Sequence, residues 1–211
     1  MPKMIPHTIV LVRTSPTHWD AEGRLCGDAD VPPTDDGLSD LAREIRNAGL
    51  DFIRSRMSSV LCGPDDLSQQ CAAILRVTPE TRIKSLRELR ELNLGLWDGV
   101  LSDDLGGRFP RVYSKWRDTP GKVAPPQGES LETVHDRITS NCFKSLQRLR
   151  SPDRTTGLAL RPYAWCAFNC WVRGESLARA WRIMRHTPSV QAFSLMVPKT
   201  TRRDRKINRI A

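Results

Sequence analysis

The sequence predicts a three-layer α/β/α sandwich around a mostly parallel sheet, and three observations carry that prediction. An uninterrupted β-branched and aliphatic run, the kind buried on both faces of a sheet, occurs at residues 8–13, and 57–62 and 156–160 read as further strands. Between them lie stretches whose apolar residues repeat at helical spacing. The chain has 211 residues, enough for one substantial domain and too few for two comfortable ones.

The elements follow in order. Residues 8–13 read as a buried strand, and a loop with Gly23, Gly27, Pro32 and Pro33 follows. Thr34 or Asp35 can cap a helix from about Gly37 to Ala48, where Leu38, Leu41, Ile45 and Ala48 repeat, and Gly49 sits where a helix-ending glycine belongs. Met57–Cys62 is a second strand; Gly63-Pro64 breaks it, and Asp65 or Asp66 starts a helix through Leu75. Arg82–Leu86 is a third strand. From Glu88 to Gly128 the chain is rich in Gly and Pro, with short helices expected near 101–108 and 110–116. A long helix runs from about Ser130 to Leu149 on Leu131, Val134, Ile138, Phe143 and Leu146. A strand at 156–160, a buried helix over Ala164–Val172 and a strand at Val190–Val197 complete the set, with one more strand allowed in the tail. The domain is thus expected over 1–198, with an insertion at about 88–128 and a basic tail at 199–211.

The bulk numbers narrow the class. A composition of 39% hydrophobic and 27% charged residues is that of a soluble globular protein. No run approaches the roughly 18 apolar residues of a spanning helix, and the segment before the first strand has no apolar stretch of signal-peptide length. A cytoplasmic protein that meets no membrane is expected. The six cysteines (Cys26, Cys62, Cys71, Cys142, Cys166 and Cys170) show no paired metal spacing, so buried reduced thiols are expected and no metal or cofactor. The net charge of +9 concentrates at the end, where Lys199–Arg209 carries six basic residues and one acid. That tail is either an arm for nucleic acid or another polyanion, or a solvated last strand.

The chemistry-bearing residues lie at the ends of the strands. Val12-Arg13-Thr14-Ser15-Pro16-Thr17 closes the first strand and leads into Gly23-Arg24-Leu25-Cys26-Gly27; Pro33-Thr34-Asp35-Asp36-Gly37 opens the first helix. Gly63-Pro64-Asp65-Asp66-Leu67-Ser68-Gln69-Gln70-Cys71-Ala72 follows the second strand. Further on come Glu91-Leu92-Asn93-Leu94-Gly95-Leu96-Trp97-Asp98-Gly99, Tyr113-Ser114-Lys115-Trp116, and Pro125-Pro126-Gln127-Gly128-Glu129-Ser130. In this order the segments resemble the histidine phosphatase superfamily, which includes the cofactor-dependent phosphoglycerate mutases, over roughly residues 5–165. The resemblance implies a phosphoglycerate mutase-like sandwich with the insertion roofing the pocket.

In that family a His on an Arg-His-Gly-x-Thr motif takes the phosphoryl group, two Arg and a second His hold the phosphate oxygens, and an acid protonates the leaving oxygen. By resemblance Arg13 matches the first phosphate-binding Arg and Glu91 the acid. Thr14 stands at the nucleophile's position, Leu67 at the second Arg and Arg161 near the second His. Loss of a nucleophile costs on the order of 10⁴- to 10⁶-fold in turnover, so the resemblance implies a pseudo-phosphatase that binds a phosphorylated small molecule or a protein partner. Arg13 and Arg161 would be its phosphate-binding residues. A second reading is an active phosphatase or mutase, or a repurposed enzyme, with a centre around Arg13 and Glu91 beside Thr14 and Ser15. A third is a polyanion binder acting through the tail. Glu91 is either an acid or the buried ion-pair partner of Arg13. His18, four residues after Thr14, could point back toward the pocket or lie on the surface. The expected partners are those ligands, with nucleic acid admitted through the tail and a homodimer also admitted. Beyond Pro152 the match weakens, and imperfect folding there is one expectation.

Overall fold

The computed structural model describes residues 4–148 and 155–198. Strand β1 (Met4–Arg13) is followed by a short helix α1 (His18–Ala21), then α2 (Gly37–Asn47), the single turn α3 (Asp51–Arg54) and β2 (Met57–Cys62). Helix α4 (Asp66–Leu75), whose N-cap Asp65 accepts from the Ser68 amide, leads to β3 (Arg82–Ser85). The insertion holds α5 (Ser102–Arg108) and α6 (Pro110–Asp118). Then come α7 (Leu131–Arg148), β4 (Thr155–Leu160), α8 (Pro162–Arg173), α9 (Ala180–His186) and β5 (Val190–Pro198). The expected strands and longer helices form within a residue or two of their expected ends, except that β1 begins at Met4, four residues before the expected start. The short helices α1, α3 and α9 are additions. The further strand expected in the tail lies outside the described residues, as does residue 149 of the long helix.

One sheet carries the fold in the order β3-β2-β4-β1-β5. Four strands are parallel, and β5 runs antiparallel beside β1. Successive side chains of a strand face opposite layers, and β1 divides its residues accordingly. Val10 and Val12 pack with Leu41 and Ile45 of α2 and Leu67, Cys71 and Leu75 of α4. Ile9 and Leu11 pack with α7, α8 and the roof on the other side. The three-layer sandwich follows. Gly157, in the middle of β4, lets α4 come close: a Cβ there would meet Leu75 Cδ2 at 2.9 Å and Met57 Sδ at 3.0 Å.

The segment beyond Pro152 contributes to the centre of the molecule. Every residue of β4 is buried, and eight consecutive residues of α8, Tyr163–Cys170, are buried too. Gly174, at φ 64°, ends α8 in the left-handed conformation that favours glycine. The roof joins the same core through aromatic rings: Trp97 lies edge-on to Trp116 at 5.6 Å, and Trp116 packs on Trp181 of α9 at 4.6 Å. Among the described residues no helix is long and apolar enough to cross a membrane. All six cysteines are free and buried.

Candidate functional site

Parallel strands bring their carboxyl ends to one edge of the sheet, where α/β proteins hold their ligands. Arg13 pairs with Leu160 and Cys62 with Ala159, so Thr14, Gly63 and Arg161 leave three adjacent strands at neighbouring points. The roof lowers Glu91 onto the same spot.

Arg161, 2% exposed, is the N-cap residue of α8. Its Nη1 donates to the Ala29 carbonyl at 2.7 Å and its Nη2 to Cys26 Sγ at 2.8 Å, tying the glycine-rich loop to the end of β4. Its Nε is buried without a hydrogen-bond partner, as are the hydroxyls of Thr14 and Ser68. Burial works against the Arg161 cation, but Glu91, with Cys26 and Asp65, outweighs it and holds its pKa above the ordinary arginine value. Burial likewise raises the Cys26 thiol, against the opposing pull of Arg161.

Glu91, 1% exposed, caps the first turn of α8: Oε2 accepts from the Tyr163 amide and Oε1 from the Ala164 amide, both at 2.8 Å. Oε1 also accepts from the Leu92 amide at 2.7 Å. A carboxylate there complements the positive end of the helix dipole. Burial pushes the carboxyl up to about 7, while Arg161 and the three amides pull it down.

The ion pair expected between Arg13 and Glu91 does not form. Arg13 Nη1 donates to the Met184 carbonyl at 2.8 Å and Nη2 to Ser189 Oγ at 3.1 Å, with the guanidinium 5.1 Å from the centre of the Trp165 ring. The carbonyls of the last turn of α9 supply the negative charge that Glu91 does not. Arg161, not Arg13, faces Glu91.

Thr14 is buried, its amide donating to the Leu160 carbonyl at 2.9 Å. Leu67 lies in the apolar layer between α4 and the sheet. The four histidines are elsewhere: His7 is buried along β1, His18 opens α1 exposed, His135 pairs with Asp136 on α7, and His186 ends α9. Thr17 and Asp20 close a capping box at the start of α1.

Sequence reasoning missed the residue that holds the roof down. Arg137 of α7 donates to the carbonyls of Glu88, Arg90 and Glu91 and to both oxygens of Glu129. The spacing offers no signal for it, because three of its partners are backbone carbonyls more than 40 residues away in the chain. Asp98 is a second such residue, accepting from the Gly27 amide at 2.7 Å.

A doubly covered, mostly parallel sheet with a roofed polar cluster at its strand ends defines an α/β protein with its candidate site at the carboxyl edge of the sheet. The chain matches the histidine phosphatase superfamily (branch 1) over residues 9–196 and belongs to it. It is 25% identical over 178 residues to phosphoserine phosphatase 1 of Hydrogenobacter thermophilus, covering 82% of this chain and 79% of that one. It is 31% identical over 154 residues to the 2,3-bisphosphoglycerate-dependent phosphoglycerate mutase of Rhizobium etli, covering 68% and 71%. Among solved structures, Bacillus stearothermophilus YhfR superposes with a TM-score of 0.73 at 22% identity, over 83% of this chain and 84% of that one. The alpha-ribazole phosphatase of Shigella flexneri superposes at 0.69 and 17% identity, over 92% and 96%.

Proposed function

We propose that this chain is a pseudo-phosphatase: a histidine phosphatase fold that binds a protein partner and does not transfer phosphoryl groups. One observation carries the reading. Where phosphohistidine chemistry needs a nucleophile, the chain has the buried hydroxyl of Thr14, and beside it the Arg161 guanidinium is already held by Ala29, Cys26 and the facing Glu91. A nucleophile must meet phosphorus in line with cations around the equatorial oxygens, and Leu67 supplies none. Six buried free thiols suit a reducing cytoplasm.

Charge favours a protein over a phosphorylated ligand. Arg13 is committed to Met184 and Ser189, and Arg161 is balanced by Glu91 and Asp65. The two cations are matched by two carboxylates and their donors are engaged, so a phosphate dianion would meet no net positive charge.

Two measurements test this reading. Turnover of p-nitrophenyl phosphate at high protein concentration is expected to stay at background and to be unaffected by Glu91→Gln or Arg161→Met. Protein-dependent turnover that falls in either variant would place a noncanonical catalytic centre here and overturn the reading. At pH 8, with Glu91 ionised, inorganic phosphate and vanadate are expected to leave the melting temperature unchanged. A saturable rise would restore the phosphorylated-ligand reading.

A further inference from the structure

We propose that the free edge of β5 is a docking site for an extended acidic peptide segment of a partner protein, which adds to the sheet as a further strand. This rests on the reading of the chain as a binding protein and supplies the surface and the class of partner.

The two edges of the sheet are built differently. At one end β3 is four residues long and carries Arg82 and Lys84, both exposed. Charge and shortness are how natural sheets keep edges from pairing. At the other end β5 runs nine residues, Val-Gln-Ala-Phe-Ser-Leu-Met-Val-Pro, with no charged side chain and no proline before its last residue.

The register shows which backbone groups face outward. The Arg13 amide donates to the Ser189 carbonyl, and antiparallel pairs alternate between bonded and non-bonded. Residues 191, 193, 195 and 197 therefore turn their amides and carbonyls to β1. Val190, Ala192, Ser194 and Met196 turn theirs away from it, and among the described residues no strand lies on that side. Ala192, Ser194 and Met196 are also exposed. Beside them, on the same face of β1, Met4 is 45% exposed and Pro6 is exposed, while Met196 reaches 54%. A ladder edge flanked by an apolar strip is what strand addition uses: main-chain bonds supply affinity and alternate side chains specificity.

Charge selects the occupant. Residues 176–211 hold nine basic residues and one acid, so nearly all of the chain's excess positive charge lies in the segment that contains β5. Arg173, whose guanidinium sits 5.5 Å from the centre of the Phe193 ring and bonds Gln191, adds a cation beside the strand. Pairing of two β5 strands would join two chains whose segments of this region are both strongly basic, and an acidic segment meets no such repulsion. No aromatic residue lies in 199–211 to stack bases, so a peptide is favoured over a nucleic acid.

The test uses the full chain and a fluorescent peptide of alternating Val and Thr with Glu pairs at both ends. Binding is expected to be saturable, to weaken with salt, and to be absent for the same peptide with Lys in place of Glu. Ser194→Pro removes one outward amide without touching the ladder to β1 and is expected to lower affinity about tenfold or more. Should that variant melt early, Met196→Glu sets a like charge against the acidic peptide on the same edge and is expected to give the same loss. Equal binding by both variants, or equal binding of the Lys peptide, overturns the proposal. Self-association in sedimentation that both variants abolish would assign the edge to a second copy instead. Displacement of the peptide by a single-stranded oligonucleotide would assign the surface to nucleic acid. Phosphomonoester turnover, measured separately, keeps failure here distinct from failure of the pseudo-phosphatase reading.

Discussion

Replacing Arg161 by Met would remove the cation that faces Glu91 and leave the Ala29 carbonyl and Cys26 thiol without their donor. Leaving a buried carboxylate without its nearby cation and two buried acceptors without their donor is strongly destabilising, so a loss of about 3 kcal/mol is expected in urea unfolding at pH 8. Combined with Glu91→Gln, the loss should be less than the sum, with a coupling of about 1–3 kcal/mol. Additive losses would mean that the two groups do not sense each other. Glu91 also gives stability a pH dependence. Burial raises its carboxyl from 4.5 to about 7, so the folded state holds that proton more tightly than the unfolded one. The contribution is full below about pH 4.5, declines as pH rises toward 7, and is flat above. Set against Glu91→Gln, the wild type is expected to lose on the order of 3 kcal/mol across that window; a parallel pH profile in the two proteins would refute it. The sequence placed Arg161, Glu91 and Thr14 at one locus, and the structure brings them together. It could not place the guanidinium of Arg13, because the deciding partners, Met184 and Ser189, lie more than 170 residues away and carbonyl oxygens leave no mark in side-chain type.

The elements themselves were largely legible because their signals are local. The run that forms β1 is nearly continuous, the longer helices keep a clear apolar face, and Gly63-Pro64 and Gly49 mark breaks the structure respects. Helix α9 was not legible: seven residues with buried Ala180 and Ile183 fall below the length at which periodicity stands out. How the roof is fastened was not legible either. Arg137 bonds three carbonyls and the Glu129 carboxylate, so Arg137→Ala leaves four acceptors without that donor. A loss of about 2–3 kcal/mol is expected, with faster hydrogen exchange at residues 88–95 and little change in β2 or α4. Uniform acceleration across the chain would show that the roof does not open separately. Within the sheet, Gly157→Ala would press a methyl against Leu75, Met57 and Val60. The expected cost is about 1–3 kcal/mol in thermal unfolding, from overpacking.

At the scale of the molecule, the two apolar layers share strands β1, β2 and β4, so neither can be lost alone. The six thiols report on that unity. All are buried, from both layers, and a thiol reagent is expected to label them slowly and together, at a rate set by unfolding; all six should react at once in denaturant. Rapid native labelling of any one of them would locate a region that opens independently. The position of β4 has another consequence. It lies between β1 and β2 in space but follows both in the chain, its first residue being Thr155. At about 5–20 residues per second of synthesis, β1 waits on the order of ten seconds for the neighbour that completes it. During that wait the hydrophobic sides of β1 and β2 have no central strand to join them. Ribosome-bound chains halted before residue 155 should therefore be cut readily by protease, and become resistant only once β4 and α8 have left the exit tunnel.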